Sequence, residues 1–260
     1  MLYCLWLPPQ RWSDKRPFVR HLLFFVLKLL SKPQEATMPD AKPTFVNDAT
    51  AVLPHRVLKP EKPGPHPTVV MIHGYLGNED VMWVFSQTLP KDWLLVAPRA
   101  IVQEKEHSFS WHPRQSGKWP TLEDFDTAVS HLSHFIKTLP QQLDADPKQI
   151  YLMGFSQGAA AAFALAIREP GCVQGIASLV GFMPRQIHAA IHQTKLADLP
   201  VLMAVGTEDD QVPVEIAREC GKAVRAMGAF LEYREYETGH KLNGEGMRKL
   251  KKWWAERAAL

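Results

Sequence analysis

A serine in a glycine-bounded turn is the residue of this 260-residue chain that best fits a nucleophile. Residues 154–158 read Gly-Phe-Ser-Gln-Gly, so Ser156 has the Gly-x-Ser-x-Gly spacing of a nucleophile elbow. The apolar stretch 149–153 predicts a strand, and the Ala- and Leu-rich stretch 159–167 predicts a helix. A serine at such a junction exposes its hydroxyl beside the partial positive charge of the helix N-terminus. The pattern therefore predicts that Ser156 is a nucleophile.

The two glycines of this motif have a physical reason. A sharp strand-to-helix turn strains the serine backbone and brings neighbouring backbone close, so only small residues fit two positions away on either side. Gly154 and Gly158 satisfy this need. The alternative is a glycine-rich turn that carries a serine by chance, and the strand and helix predicted around it count against that alternative.

A serine hydroxyl needs a base to take its proton, and the base needs an acid to orient it. Candidates follow two later predicted strands: Asp209 follows the strand 200–206, and His240 follows the strand 229–236. Because the carboxyl ends of parallel strands meet at one edge of a sheet, we expect these side chains to lie near Ser156. Glu208 and Asp210 remain alternatives for the acid, and a solvated acidic turn is the non-catalytic alternative.

Strands and helices alternate along the chain, which predicts an α/β fold with a mostly parallel central sheet and helices on both faces. Further strands are expected at 68–72, 93–98 and 175–180, and one or two edge strands within 47–58. Further helices are expected at 79–89, 121–139, 185–197, 213–227 and 243–258, with Thr121 as a cap. Residues 99–120 are expected to form a long loop.

Composition separates residues 1–44 from the remainder. The net charge of the chain is +3, but residues 1–37 hold six Lys/Arg and two acidic residues, which leaves 24 basic and 25 acidic residues in the rest. No nucleic-acid partner is therefore expected. We expect a poorly ordered or non-native extension over 1–44 and one domain over 45–260. The three cysteines are far apart and indicate reduced thiols of a cytoplasmic protein.

At these motifs the chain resembles the phospholipase/carboxylesterase group of α/β-hydrolases, which includes acyl-protein thioesterases. The resemblance covers about residues 66–258 and rests on His73-Gly74, the elbow at 154–158, Val212-Pro213 and Gly239-His240. It implies the α/β-hydrolase fold. It also implies Asp209 as the acid, because the acid of that family lies four residues before the proline, and a structural role for His73.

Two backbone N–H groups must face the negative oxygen that forms during ester cleavage. The N–H of Gln157, directly after the nucleophile, is the first expected donor. The second should come from the turn after the strand 68–72. Tyr75 is expected there, and Leu76 is the alternative because the turn differs in length from the family pattern.

Several large side chains are candidates for a substrate pocket, although core packing explains them equally well. They are Leu76, Trp83, Trp111, Trp119, Phe182 and Met183. The segment 182–197 is the only candidate lid and is short, which favours a substrate of modest size. His107 and His112 are further candidates for lining the cleft. His131 and His134, three apart on a predicted helix, indicate a solvated face more than a metal site.

The leading hypothesis is a serine hydrolase that cleaves carboxylic esters through an acyl-enzyme with Ser156, His240 and Asp209, and that needs no metal or cofactor. The alternatives are an acyl-thioesterase or lysophospholipase with the same residues, or a non-catalytic binding protein on a hydrolase scaffold. Membrane contact is expected only through residues 1–37. The chain is expected to act on a small-molecule ester or thioester as a monomer or dimer.

Overall fold

The computed structural model of the chain describes residues 42–48, 51–113 and 118–259. The predicted extension over 1–44 lies outside the described residues except for residues 42–44, so the expectations for residues 1–37 remain predictions. Thr44 already belongs to a strand and pairs with Val57. The domain therefore includes at least one residue before the predicted boundary at 45.

Eight strands of the described part of the chain form one sheet. They are β1 Thr44–Val46, β2 His55–Leu58, β3 His66–Ile72, β4 Leu94–Pro98, β7 Ala145–Phe155, β8 Ile176–Leu179, β9 Pro200–Gly206 and β10 Phe230–Tyr236. Their order across the sheet is β1-β2-β4-β3-β7-β8-β9-β10. The pairs β1/β2 and β2/β4 are antiparallel, and all other neighbouring pairs are parallel. The remaining two strands, β5 Val102–Lys105 and β6 Ser108–Ser110, form a separate antiparallel hairpin.

Helices cover both faces of the sheet, as the alternation of elements predicts. The α-helices are α1 Asp126–Leu143, α2 Gln157–Arg168, α3 His188–His192, α4 Val214–Ala226 and α5 Gly244–Ala258, and short 3₁₀ helices run over Val81–Thr88 and Glu123–Phe125. Residues of α1, α2 and α4 share one apolar cluster with alternate residues of β3, and residues of α5 and the first 3₁₀ helix share another with the intervening ones. Because β3 is buried on both faces, its central residues are all apolar rather than alternating with polar ones.

The predicted long loop 99–120 contains structure that its sequence does not indicate. Residues 102–110 form the β5–β6 hairpin, whose turn includes His107 with a φ of 57°. The strands of the hairpin carry mostly polar residues, Gln-Glu-Lys in β5 and Ser-Phe-Ser in β6, so hydrophobic periodicity cannot reveal them. The expectation of an irregular loop is therefore wrong for this half of the segment.

Helix α1 differs from its predicted form at the C-terminal end. It continues to Leu143, four residues past the predicted end, and Pro140 lies within the helix instead of ending it. Asp144 then closes it in the left-handed conformation, with its N–H donating to the carbonyl of Leu139. At the other end the expected cap at Thr121 is wrong: the N-cap positions of the 3₁₀ helix and of α1 are Leu122 and Phe125. Thr121 instead donates its N–H and hydroxyl to the carboxylate of Asp124, at 2.7 and 2.9 Å.

Candidate active site

Ser156 lies at the junction of β7 and α2 in a backbone conformation that non-glycine residues rarely adopt. Its φ is 52° and its ψ is −117°. The carbonyl of Ser156 accepts from the N–H of Ala159 at 3.0 Å, and its own N–H donates to the carbonyl of Leu179 in β8 at 3.0 Å. Hydrogen bonds to α2 and to β8 therefore fix the backbone of Ser156, and such contacts are what allows a strained conformation to persist.

The glycines around Ser156 have the close contacts that the motif predicts. A Cβ at Gly158 would overlap the carbonyl oxygens of Ile72 and His73, and a Cβ at Gly154 would lie 2.5 Å from the backbone of Ala159. Gly74 is also closely packed, since a Cβ added at this position would lie 3.3 Å from the Cβ of Ser156. The turn after β3 therefore lies directly beside the serine.

His240 and Asp209 are hydrogen-bonded to each other. The distance from His240 Nδ1 to Asp209 Oδ2 is 2.8 Å, and the side chain of Asp209 is 1% exposed while that of His240 is 19% exposed. A carboxylate accepts, so Nδ1 donates the hydrogen, which makes Nε2 the acceptor nitrogen in the neutral form of the ring. The His240 ring also packs edge-on against Phe155, the residue before Ser156, with 5.3 Å between ring centroids. The pair therefore lies at the elbow.

The loops that carry Asp209 and His240 are tied together by backbone contacts. Strands β9 and β10 pair in parallel up to Gly206 and Tyr236. Beyond this point the N–H of Thr207 donates to the carbonyl of Tyr236 at 2.9 Å, and that of Glu208 to the carbonyl of Thr238 at 3.1 Å. A Cβ at Gly206 would overlap the backbone of the second loop, so glycine allows this approach.

The three neighbouring acids have different surroundings. Asp209 is buried, and its Oδ1 accepts from the backbone N–H groups of Gln211 and Val212 at 2.8 and 2.9 Å. Glu208 and Asp210 are exposed. Only Asp209 of the three is hydrogen-bonded to His240 among the described residues.

The two expected oxyanion donors lie on the elements that the sequence assigned to them. Gln157 is the first residue of α2, and Tyr75 and Leu76 lie in the turn after β3, where Gly77 N–H donates to the carbonyl of Gly74 at 3.1 Å. Leu76 has a φ of 61°. Which residue of this turn donates remains a prediction.

His73 is buried in a hydrogen-bond network and is separate from the Asp209–His240 pair. Its Nδ1 donates to the carbonyl of Gly74 at 2.8 Å, and its Nε2 accepts from the N–H of Ala100 at 3.0 Å. Burial lowers the pKa of His73 from 6.5 to about 4. A neutral ring with one donor and one acceptor suits both bonds.

The predicted pocket residues differ in exposure. Trp111 is 1% exposed, which favours the core-packing alternative for its indole, and Phe182 and Met183 are 7% and 4% exposed. Trp119 is half-buried and packs edge-on against Phe182 with 4.9 Å between ring centroids. Trp83 and Leu76 are also half-buried. A pocket wall built from these residues remains a prediction.

The other histidines are dispersed. His131 and His134 are exposed on α1, and His107 is exposed in the hairpin turn, whereas His112 is buried against Phe125. No group of three or more His, Cys, Asp or Glu in residues 42–48, 51–113 and 118–259 could hold a metal ion. Within the same ranges, none of the helices has the length and hydropathy needed to cross a membrane.

The sequence does not predict the network around the side chain of Gln157. This amide is 6% exposed and bonds to the backbone of residues 111 and 112. The position of Gln157 directly after Ser156 is only a weak indication in the sequence that its side chain is buried. Its partners are about 45 residues away along the chain, so no local pattern could identify them.

The mostly parallel sheet, the helices on both of its faces and the elbow at the end of β7 define an α/β-hydrolase. The sequence profile of the phospholipase/carboxylesterase family matches residues 54–256, and the chain belongs to this family.

Curated relatives match over shorter stretches. Acyl-protein thioesterase 1 of Saccharomyces cerevisiae is 34% identical over 96 residues, 35% of this chain and 41% of that protein. A probable inactive carboxylesterase of Oryza sativa subsp. japonica is 30% identical over 99 residues, 37% of this chain and 40% of that protein. The matched stretches thus span about two fifths of the length of these relatives.

Solved structures share the fold over most of the chain. The Bacillus cereus carboxylesterase superimposes with a TM-score of 0.70 at 20% identity, over 80% of this chain and 96% of that one. The Zea mays acyl-protein thioesterase 2 gives a TM-score of 0.61 at 22% identity, over 78% and 98%. At such identities the likeness establishes the α/β-hydrolase fold, as predicted.

The buried His73 predicts a loss of stability in mild acid. Its pKa is lower in the folded state than in the unfolded state, so the unfolded chain binds the extra proton as the pH falls from 6.5 towards 4. Between pH 7 and pH 5 the wild type should therefore lose about 2 kcal/mol more of its free energy of unfolding than His73→Gln. Urea denaturation at both pH values measures the difference. His134→Gln, at an exposed position, should keep the wild-type pH dependence, and equal losses in the wild type and His73→Gln would contradict the assignment.

Proposed function

We propose that the protein is a serine hydrolase that cleaves carboxylic esters with Ser156, His240 and Asp209. The observation that carries the proposal is the 2.8 Å hydrogen bond between His240 and the buried Asp209, with the His240 ring packed against Phe155, the residue before Ser156. Membership of the phospholipase/carboxylesterase family supports it. The strained turn, the imidazole and the buried acid are the parts that serine-based acyl transfer requires.

In the proposed reaction the Oγ of Ser156 attacks the ester carbonyl carbon while Nε2 of His240 takes the hydroxyl proton. Asp209 keeps the proton on Nδ1 and stabilises the imidazolium that forms. The tetrahedral oxyanion accepts hydrogen bonds from the N–H of Gln157 and from the turn after β3, through Tyr75 or Leu76. His240 then gives the proton to the leaving alcohol, and the acyl group stays on Ser156. Water, deprotonated by His240, releases the acid and restores the serine.

Labelling with a fluorescent fluorophosphonate tests the nucleophile. The wild type should be labelled at Ser156, and His240→Ala should reduce the labelling rate strongly, because the hydroxyl loses its base. Peptide mapping identifies the labelled residue. Ser130→Ala and His134→Ala change exposed residues of α1 and serve as matched controls that should label like the wild type. A folded wild type that takes up no label would support a non-catalytic binding protein, a possibility raised by the name of the rice relative.

A comparison of two neighbouring carboxylates tests the acid. Asp209→Asn should lower kcat by about 10³- to 10⁴-fold, because an amide NH₂ facing Nδ1 favours the wrong tautomer of His240. Asp210→Asn changes an exposed residue and should alter kcat by no more than about twofold. Steady-state hydrolysis of a chromogenic short-chain ester gives both values. A larger loss in Asp210→Asn than in Asp209→Asn would reverse the assignment.

Thioester hydrolysis is the second candidate, favoured by the similarity to the yeast acyl-protein thioesterase. Helix α3, in the segment that would act as a lid, is only five residues long, and we therefore expect a higher kcat/KM on butyryl oxyesters than on palmitoyl thioesters. Paired assays on both substrates decide, with Ser156→Ala subtracted as the background of each. A preference for the palmitoyl thioester would replace the ester proposal by the thioesterase one and leave the assigned residues unchanged.

A further inference from the structure

The two expected oxyanion donors belong to different elements, so something must fix the distance between them. Gln157 is the first residue of α2, and Tyr75 and Leu76 lie in the turn after β3. Donors stabilise a developing oxyanion only when both point at the same place before the reaction starts. A displacement of about 1 Å can lower the rate about 10²-fold. Contacts that join the two elements therefore affect the reaction.

The side chain of Gln157 binds the segment that follows the β5–β6 hairpin. Its Oε1 accepts from the backbone N–H of Trp111 at 2.9 Å, and its Nε2 donates to the carbonyl of His112 at 2.7 Å. The oxygen and the nitrogen of this buried amide are thus both hydrogen-bonded. This pairing fixes the first turn of α2 against residues 111 and 112.

The indole of Trp111 binds the turn after β3. Its Nε1 donates to the carbonyl of His73 at 2.9 Å, and its ring lies 5.4 Å from the His73 ring, centroid to centroid. Trp111 therefore bonds through its backbone to the element that carries one donor and through its side chain to the element that carries the other.

Residues before and within the β5–β6 hairpin also bond the turn after β3. The N–H of Phe109 in β6 donates to the carbonyl of Gly77 at 2.8 Å, and the N–H of Ala100, before β5, donates to Nε2 of His73 at 3.0 Å. The turn 73–77 is consequently bonded at both ends to residues 100–111. Trp111 is the member of this segment that also reaches α2.

We propose that Trp111 is a positioning residue that holds the two oxyanion donors at their working separation, with the Gln157 side chain as its partner. The inference rests on the proposed function. Loss of the indole N–H removes the donor to the buried carbonyl of His73. An unsatisfied buried carbonyl costs free energy, which a reorientation of the peptide towards another donor would recover. Reorientation of that peptide would move the turn that carries the second donor. Trp111 itself touches no reacting atom in the proposed reaction.

The substitution Trp111→Phe tests the proposal because it keeps an aromatic ring and removes the N–H. We expect kcat per folded molecule to fall about 10- to 100-fold, while KM stays within about twofold because ground-state binding is unchanged. The inhibition constant of a trifluoromethyl ketone that forms a tetrahedral adduct should rise by the same factor as kcat falls. The inhibition constant of the product carboxylate should stay unchanged, because this ligand forms no tetrahedral adduct.

The matched control is Trp254→Phe, at a buried indole of α5 whose Nε1 has no hydrogen-bond partner in the described part of the chain. This variant removes the same atoms from the core and should keep the wild-type kcat per folded molecule. Urea denaturation gives the folded fraction of each variant. If Trp111→Phe loses activity only in proportion to its folded fraction, Trp111 serves packing alone and the proposal is overturned.

A second substitution keeps the test independent of Trp111. Gln157→Met preserves the shape of the side chain and removes both of its bonds, so it should also lower kcat with little change in KM. Because both variants would disturb the same connection, the double variant should lose less than the product of the two single losses. Fully multiplicative losses would overturn the proposal. An active, fluorophosphonate-labelled wild type with an unimpaired Trp111→Phe would refute this inference alone, whereas an inactive and unlabelled wild type would refute the proposed function and this inference with it.

Discussion

The close approach of helix α2 to the end of strand β3 is the constraint on which the candidate site depends. At Gly158 the helix passes so near the carbonyls of Ile72 and His73 that no side chain fits. Since the helix starts directly after Ser156, this contact brings the elbow and the turn after β3 side by side. The strained backbone of Ser156 follows from the same geometry, because the chain has one residue in which to turn from β7 into a helix held at that distance.

The same contact buries polar groups, which must then find partners inside the protein. The His73 carbonyl is bonded to the Trp111 indole, the His73 ring to two backbone groups, and the Gln157 amide to residues 111 and 112. The β5–β6 hairpin and the residues after it supply most of these partners. Residues on both sides of the hairpin are thus bonded to the elbow and to the turn after β3, although the sequence shows little hydrophobic pattern there.

Two histidines near the elbow differ because of their surroundings. His73 is fully buried, has both ring nitrogens occupied and has a pKa lowered by burial. The side chain of His240 is 19% exposed, and among residues 42–48, 51–113 and 118–259 only its Nδ1 is hydrogen-bonded, to Asp209. A ring with both nitrogens in fixed bonds cannot exchange a proton with a substrate, whereas one whose Nε2 is left to a substrate can. Position at a strand end is therefore insufficient to identify the base.

The alternation of strands and helices was enough to predict the α/β fold, since each apolar run of four to seven residues must lie in a sheet covered on both faces. The elbow was equally readable, because strand, glycines and helix are local in sequence. The predicted strand 200–206 located the acidic loop, and the choice of Asp209 over Asp210 rested on a resemblance. The buried carboxylate bonded to His240 supports that choice. Trp111 could be recognised as a large residue in a long segment, but not as a link between two elements. The sequence by itself thus determined the elements and the types of reactive group, because those depend on neighbours along the chain. Tertiary structure alone decided which polar groups meet across β3, α2 and the hairpin, because those hydrogen bonds join residues about 40 positions apart.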